Sequence, residues 1–335
     1  MTADIIDYLE LRDGADDALV RLGKETASRL CQTALSRGLQ ASTVDVEALF
    51  TTVEMLAVGD SSPIAPFIAG WNSPAVTRQP LDWAQTYAAL GEAMLDALQH
   101  VLKPTNSPDY LQPLFSDPPC RIATLNYDLC LEQAASAAAI ELSDGIEAWT
   151  GGFHWTWGQE PVHLLKLHGS INWQPVVTTL GGAARAGDPL FTHGDSLRGT
   201  GSHALEIPGL VFGVQGKLRA DGPFLAMLME FSRWMESTDR LVVVGYSFRD
   251  KHINRVIVDW LEQRPPRTLD VIDPGVPEHH EDVMGEPGSL LEDLVNYATE
   301  QNVGCPGPSS WWSRKPMVQF HREAAAHGLE RLLRP

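Results

Sequence analysis

The stretch LVVVGYSFRD, residues 241–250, decides the fold class of this chain of 335 residues. Four residues with high β-propensity lead into a glycine turn, and apolar residues at helical spacing follow from Ile253 to Leu261. A short apolar run bounded by turn residues is typical of a buried strand, and strands that alternate with helices build parallel sheets. The stretch therefore predicts a strand, a tight turn and a helix, in that order.

Four further apolar runs have the same form, at residues 121–125, 163–167, 209–212 and 269–272. An apolar stripe at helical spacing runs from Phe224 to Met235, ahead of the strand at 241–244. Because strands and helices alternate, we predict an α/β fold with a doubly wound, mostly parallel, Rossmann-like sheet. The carboxyl ends of such strands border the ligand crevice, so polar residues at those ends are the first candidates for a functional site.

The first part of the chain is predicted to be helical. Two apolar stripes with three-four spacing lie there: Val46, Leu49, Phe50 and Val53, and then Trp83, Tyr87, Leu90, Met94, Leu98 and Val101. Each stripe is typical of one face of an amphipathic helix, so we expect the two helices to pack on each other. Residues 59–79 hold three prolines and several turn formers, which predicts a loop or lid.

We expect one domain over the whole chain, because the length suits a single large core with insertions. Its predicted parts are a helical module with the lid loop at 14–118 and a Rossmann-like core at 119–275. C-terminal helices are predicted at 276–335.

Two segments rich in Gly, Pro and polar residues, 181–205 and 274–288, are predicted to be surface loops. Ser289 and Glu292 have the spacing of a capping box ahead of a C-terminal helix. A last helix is predicted from about 318 to 333.

The charge and the cysteine content limit which binding partners and which cellular compartment are expected. A formal net charge of −18 and a pI near 4.9 oppose binding to a phosphate backbone or an anionic membrane. No apolar run approaches the roughly 20 residues that span a bilayer. The four cysteines form no CxxC pair, which argues against a four-thiolate zinc site and fits a reducing compartment. We therefore expect a cytoplasmic protein without a metal, a nucleic-acid partner or a membrane partner.

Asn126 and Asp128 follow the first predicted core strand. Two residues apart on an extended chain, their side chains point to the same side and could hold a carboxamide or a water molecule. Asp128 also precedes a helical segment, so capping of that helix is an equally good interpretation.

His168 ends the strand at 163–167 and is followed by Gly169, which leaves the imidazole on an open rim. An imidazole exchanges protons near neutral pH, so His168 is a candidate general base. A lone histidine is more often structural, and its neighbours decide between the two interpretations.

Gly245 and Ser247 lie between a strand and a helix, where a backbone can approach a ribose or phosphate closely and a hydroxyl can bond to it. Tight turns at strand ends also occur for folding reasons alone. Asp273 ends the next strand, where a carboxylate can hold ribose hydroxyls. Asp273-Pro274 is also an ordinary turn opener.

Together these segments resemble the bacterial sirtuin-like family, especially its anti-phage branch that cleaves NAD. The resemblance runs from about Ile122 to Pro274, with Asn126-Tyr127-Asp128, Leu167-His168-Gly169 and Gly245-x-Ser247 as the site motifs. It implies that Asn126 orders a water or the ribose, that Asp128 holds the carboxamide, and that His168 acts as general base. Gly245 and Ser247 would lie near the nicotinamide ribose and phosphates.

The resemblance implies an NAD glycohydrolase that yields nicotinamide and ADP-ribose, with NAD as its substrate. Sirtuins that deacylate proteins generally carry a zinc held by two CxxC pairs, which this chain lacks, so deacylation ranks last. A homo-oligomer and a partner protein such as a defence ATPase are also expected.

The family opens with a strand and a Gly-Ala-Gly-x-Ser type loop for the pyrophosphate. Residues 1–9 instead resemble the helix that normally follows this loop. The sequence therefore leaves two alternatives: a start upstream of Met1, or a degenerate nucleotide-binding or scaffold subunit without turnover.

Overall fold

A computed structural model describes residues 2–11, 16–36, 46–57, 83–102, 108–117, 120–176, 179–180, 183–184, 190–194, 210, 222–263, 267–279, 282–283, 289–303 and 317–333. The described part before residue 118 is helical. From residue 120 onward, strands and helices alternate.

The described residues of the N-terminal part form four α-helices: α1 (Thr2–Leu11), α2 (Asp17–Ser36), α3 (Val46–Ala57) and α4 (Trp83–Val101). Helices α3 and α4 pack on each other as predicted, because Leu49 and Val53 of α3 share one core with Leu90, Met94 and Leu98 of α4. Tyr127 and Ile171, from the α/β part, belong to the same core. The predicted lid at 59–79 lies outside the described residues.

The first parallel sheet has the strand order β1-β3-β2, with β1 at Cys120–Thr124, β2 at Leu142–Ser143 and β3 at Val162–Lys166. The central strand β3 is the most buried of the three, as expected for a strand with neighbours on both edges. A 3-10 helix (Asp109–Phe115) and helix α5 (Cys130–Ala137) share a small apolar core with this sheet.

The second parallel sheet has the order β10-β9-β8. Its strands are β8 (Arg240–Val244), β9 (Thr268–Ile272) and β10 (Met317–His321), and its helices are α6 (Phe224–Glu236), α7 (Lys251–Gln263), α8 (Leu290–Val303) and α9 (Ala325–Leu333). Leu269 and Val271 of the central strand are fully buried, and they belong to the same core as residues of α6, α7 and α8.

Two antiparallel hairpins complete the described strands: β4 (Trp173–Val176) with β7 (Leu190–His193), and β5 (Thr179–Leu180) with β6 (Ala183–Ala184). The prediction of a surface loop over 181–205 was therefore wrong for β6 and β7. Phe191 is buried against Trp173, with ring centroids 6.3 Å apart, and this contact stabilises β7 within a polar stretch.

The C-terminal part differs from its prediction in one element. The predicted cap at Ser289 is confirmed, because the Glu292 N–H donates to Ser289 Oγ at 3.3 Å, one of the two bonds of a capping box. The last helix begins at Ala325 rather than near 318, since residues 317–321 form β10.

The fold class is confirmed: a mixed α/β fold with two parallel sheets and helices between the strands, of Rossmann-like type. Four of the five predicted core strands are β1, β3, β8 and β9. Of the fifth prediction, at 209–212, only Leu210 is described, and it makes an antiparallel bridge with Gly169. The domain boundaries given above stay a prediction.

Candidate active site

Two backbone hydrogen bonds lay the segment after β1 beside the segment after β3. The Leu167 N–H donates to the Thr124 carbonyl at 2.9 Å, and the Ile171 N–H donates to the Tyr127 carbonyl at 3.0 Å. Asn126 lies in the chain between these two bonds, and its side chain is exposed. Its amide therefore lies at the sheet edge that also carries the residues after β3.

His168 is paired with Asp250, which follows β8. Its Nε2 lies 2.9 Å from Asp250 Oδ2, and the two residues are only 6% and 5% exposed. The Tyr127 ring is tilted against the imidazole, with centroids 6.1 Å apart. Because a buried polar group needs a hydrogen-bond partner, this bond fixes the position of the imidazole.

Asp250 is held in place by the first turn of α7. Its Oδ1 accepts hydrogen bonds from the N–H groups of His252 at 3.0 Å and Ile253 at 3.4 Å. Aspartate is a preferred residue at this position, since it satisfies amides that lack a partner within the helix. The two carboxylate oxygens thus join the start of α7 to the end of β3.

The turn before Asp250 is reinforced by side-chain bonds. Buried Phe248 has a φ of 54°, in the left-handed region that bulky residues rarely adopt. Asn254 Nδ2 donates to the Phe248 carbonyl at 2.6 Å, and the Tyr246 hydroxyl donates to Asn254 Oδ1 at 2.8 Å. Burial raises the pKa of Tyr246, so its hydroxyl stays a donor. These bonds hold the turn in one conformation.

Gly245 and Ser247 form the open side of this turn. Gly245 has a φ of 61°, and a Cβ placed on it would meet nothing within 4 Å. Its N–H donates to the Ile272 carbonyl at 3.0 Å, which ties the turn to β9. The Ser247 side chain is exposed. The backbone is therefore open at this turn, and its contact with a ribose or phosphate stays a prediction.

A cavity lies beside the His168–Asp250 pair. The other residues that line it are Leu167, Phe224, Leu228, His252 and Ile253. Helices α6 and α7 therefore line a small concavity beside the imidazole, with both apolar and polar side chains.

The Asp128 side chain makes a hydrogen bond at the start of α5. Its Oδ1 accepts a hydrogen bond from the Cys130 N–H at 3.0 Å, while the N-cap position of α5 is Leu129 and has no side-chain cap bond. Burial and, to a smaller extent, the charge of the Asp128 carboxylate raise the pKa of the Cys130 thiol to about 11. The buried Lys166 ammonium donates to the Asp128 carbonyl and fixes the backbone of the segment.

Asp273 forms the turn that the sequence offered as its second interpretation. Its Oδ1 accepts a hydrogen bond from the Gly275 N–H at 2.7 Å, and its own N–H donates to the His321 carbonyl at 3.1 Å. The side chain is half-buried at the carboxyl end of β9. It shares this sheet edge with Gly245, whose N–H bonds to the neighbouring Ile272.

A second histidine–carboxylate pair lies at the β4–β7 hairpin. His193 Nε2 lies 2.9 Å from Asp144 Oδ2, which also accepts the Trp173 Nε1–H at 2.8 Å. The hydrogen bond to Asp144 raises the pKa of His193. Burial opposes ionisation of Asp144, but the hydrogen bonds from His193 and Trp173 outweigh it and lower the pKa of this carboxyl.

Sequence reasoning missed Asp250 as a partner of His168 and the whole pair at His193. Asp250 was visible only as a residue near a helix start, and the two partners are 82 residues apart. In the described ranges, no group of three or more His, Cys, Asp or Glu side chains is arranged to hold a metal ion.

Comparison with known proteins gives one family. No curated protein matches the chain. The described helices include none that is long and apolar enough to cross a membrane. Residues 121–284, slightly less than half of the chain, match the family model described as a SIR2-like domain. That range contains all six candidate residues, and the match supports a sirtuin-like family for this part of the chain.

Proposed function

We propose that the protein is an NAD glycohydrolase, which cleaves NAD to nicotinamide and ADP-ribose. The observation that carries the proposal is the buried His168–Asp250 pair beside the exposed Asn126 segment and the open Gly245-x-Ser247 turn. The SIR2-like match suggests a nucleotide-related and NAD-related role, and the geometry supplies groups suited to hydrolysis.

His168 is the proposed general base. As the glycosidic C–N bond breaks, nicotinamide leaves with the bonding electron pair and the ribose develops oxocarbenium character. A water oxygen then forms a bond to the anomeric carbon, and His168 accepts the proton that this water loses. An imidazole fixed by a hydrogen bond beside a small cavity suits this step, since positioning supplies much of the rate enhancement.

The other candidates are proposed to bind NAD. The exposed Asn126 amide orders the attacking water or the ribose, and the Gly245 backbone with the Ser247 hydroxyl contacts the ribose and phosphates. Asp128 is proposed to hold the carboxamide, in addition to its bond with the Cys130 N–H. Asp273 is proposed to hold ribose hydroxyls from the end of β9.

The test is the product balance of purified full-length protein incubated with NAD. We expect nicotinamide and ADP-ribose in equal amounts without an acyl-peptide substrate. Asn126→Ala should slow their formation by about 10- to 100-fold. Ser28→Ala, on helix α2 and away from the sheet edge, serves as a surface control. Equal rates for Asn126→Ala and the control would remove Asn126 from the site.

A nucleotide-binding or scaffold role without turnover is the second candidate. It is favoured by one observation: Asp128 Oδ1 is already bonded to the Cys130 N–H, which leaves less of this carboxylate for a ligand. Calorimetry with NAD and ADP-ribose separates the candidates, because tight binding without product formation supports the second. Protein deacylation is the third and least favoured, and an NAD-dependent acyl-peptide assay tests it.

The cellular role follows from the proposed reaction. Hydrolysis of NAD depletes a cofactor that every cell needs, so we propose an anti-phage effector that is held inactive until infection. A cytoplasmic location, a homo-oligomer and a partner such as a defence ATPase belong to the same proposal. NAD concentrations in infected cells that carry the wild-type or the His168→Ala protein test it. A fall in NAD with both proteins would contradict it.

A further inference from the structure

The carboxylate of Asp250 bonds to two different parts of the molecule. Oδ1 accepts the two amides at the start of α7, and Oδ2 faces His168 Nε2 at 2.9 Å. Both residues are buried, so the imidazole cannot exchange this contact for water without moving. The bond spans 82 residues of sequence and joins the ends of β3 and β8, which belong to different sheets.

We infer that Asp250 is a positioning residue that keeps the proton of neutral His168 on Nε2 and thereby leaves Nδ1 as the basic nitrogen. An ionised carboxylate only accepts hydrogen bonds, so the imidazole nitrogen that faces it must be the donor. In a neutral imidazole, the other nitrogen is then the proton acceptor. The inference rests on the proposed function for its catalytic meaning, but the tautomer itself does not depend on NAD cleavage.

The surroundings of Asp250 keep it in the acceptor state. It accepts two amides at the amino terminus of a helix of 13 residues, where the helix dipole favours a negative charge. Among the described residues, His168 Nδ1 has no hydrogen-bond partner, so this nitrogen is not committed to a structural bond. A histidine with one ring nitrogen hydrogen-bonded to a carboxylate has one defined orientation and one defined tautomer.

The turn that carries Asp250 also carries residues on the ligand side of the site. Gly245 and Ser247 lie on its open side. The backbone of the turn is held by the buried Phe248 and by the hydrogen bond from Asn254 Nδ2 to the Phe248 carbonyl. The groups proposed to contact the ribose and the group that orients the base therefore lie on one turn. A shift of this turn would change the position of the imidazole together with that of the ribose.

Asp250→Asn tests the inference with little disturbance of the helix. Asparagine caps helices about as well as aspartate, so its oxygen can stay on the amides of His252 and Ile253. Its Nδ2 group then faces His168 Nε2 and can only donate, which forces the proton of the neutral imidazole onto Nδ1. The tautomer of the histidine thus reverses while the helix start is kept.

The measurement is ¹H–¹⁵N NMR of protein labelled with ¹⁵N-histidine, at a pH at which the ring ¹⁵N shifts show the neutral imidazole of His168. The His168 signals are assigned by their loss in His168→Gln. We expect the proton on Nε2 in the wild type and on Nδ1 in Asp250→Asn. NAD cleavage by the variant should fall about 100-fold, the scale of other changes to groups that orient a functional histidine.

Each outcome separates the inference from the proposed function. A wild-type imidazole protonated on Nδ1 overturns the inference even if the variant does not fold. An unchanged tautomer in Asp250→Asn, or a reversed tautomer with full NAD cleavage, also overturns it. If the tautomer reverses as expected but the wild type never cleaves NAD, the positioning inference stands and the glycohydrolase proposal fails.

Discussion

Lys166 Nζ lies 2.7 Å from Glu132 Oε1, and this ammonium is fully buried at the end of β3. The same ammonium donates to the Asp128 carbonyl. Burial raises the pKa of Glu132 in spite of the favourable charge of Lys166. The pair therefore holds the candidate segment after β1 against the strand that leads to His168.

Lys166→Met is expected to destabilise the fold by about 3 kcal/mol, because it leaves a mostly buried carboxylate without its counter-charge. Urea denaturation measures this cost. Glu132→Gln combined with Lys166→Met should recover part of it, since the amide carries no charge. A double variant as unstable as Lys166→Met alone would contradict this role of the charge pair.

Gly328 of α9 packs so closely on Ile272 of β9 that an added Cβ would lie 2.5 Å from Ile272 Cγ2. We expect Gly328→Ala to destabilise the fold by about 1–3 kcal/mol through overpacking. Gly91→Ala in α4 is the matched control, because its Cβ would meet Val53 at an ordinary 3.6 Å. That variant should gain up to about 1 kcal/mol from helix propensity. Thermal unfolding that ranks the two variants in the opposite order would refute the packing argument.

The His193–Asp144 pair predicts a pH-dependent contribution to stability. The folded-state pKa of His193 is raised above its ordinary 6.5, so this contribution is complete below pH 6.5 and is lost as the pH rises through the raised pKa. The pKa of Asp144 is lowered from 3.8, so its contribution is present above that pH and is lost as the pH falls through the lowered pKa.

His193→Gln is the variant that measures this contribution. The difference in unfolding free energy between wild type and variant should be largest at about pH 5–6 and should shrink by about pH 9. His279→Gln, an exposed histidine in the loop after β9, is the control. A difference for His193→Gln that does not change with pH would contradict a charged pair.

Gly245→Ala is expected to raise the KM for NAD about tenfold, a loss of roughly 1.4 kcal/mol of binding, because a Cβ would enter the space left for the ribose. The left-handed backbone adds a stability cost of about 1 kcal/mol. Gly152→Ala is the matched control, since Gly152 also has a positive φ of 78° and open space at its Cβ. It should show the same stability cost with an unchanged KM. An unchanged KM for Gly245→Ala would remove this turn from the NAD site.

The sequence predicted those parts of the fold that depend on local patterns. Apolar runs bounded by turn residues located β1, β3, β8 and β9, and the three-four spacing located the packed helices α3 and α4. Strand β10 was missed because Met317–His321 lies only three residues before a helix, and it pairs with β9, which is distant in sequence. Strand β7 was missed because one buried aromatic, Phe191, stabilises it within a polar stretch.

The candidate site was predictable in its members but not in its contacts. The positions of Asn126, His168 and Gly245 at strand ends follow from sequence order alone. The bond from His168 to Asp250 and the hydrogen bond that engages Asp128 depend on tertiary geometry, which no local pattern contains. For Asp128 the sequence left two interpretations open, and the structure shows one of its oxygens bonded to the Cys130 N–H.

The rate of nicotinamide release from NAD by wild-type protein and His168→Ala, measured side by side with any activating partner present, tests the central claim most directly. We expect release by the wild type and at least about 100-fold slower release by the variant, the usual contribution of a general base. His279→Ala should behave as the wild type. Equal rates for His168→Ala and wild type, or no release by the wild type, would contradict the assignment of this sheet edge as a site of NAD hydrolysis.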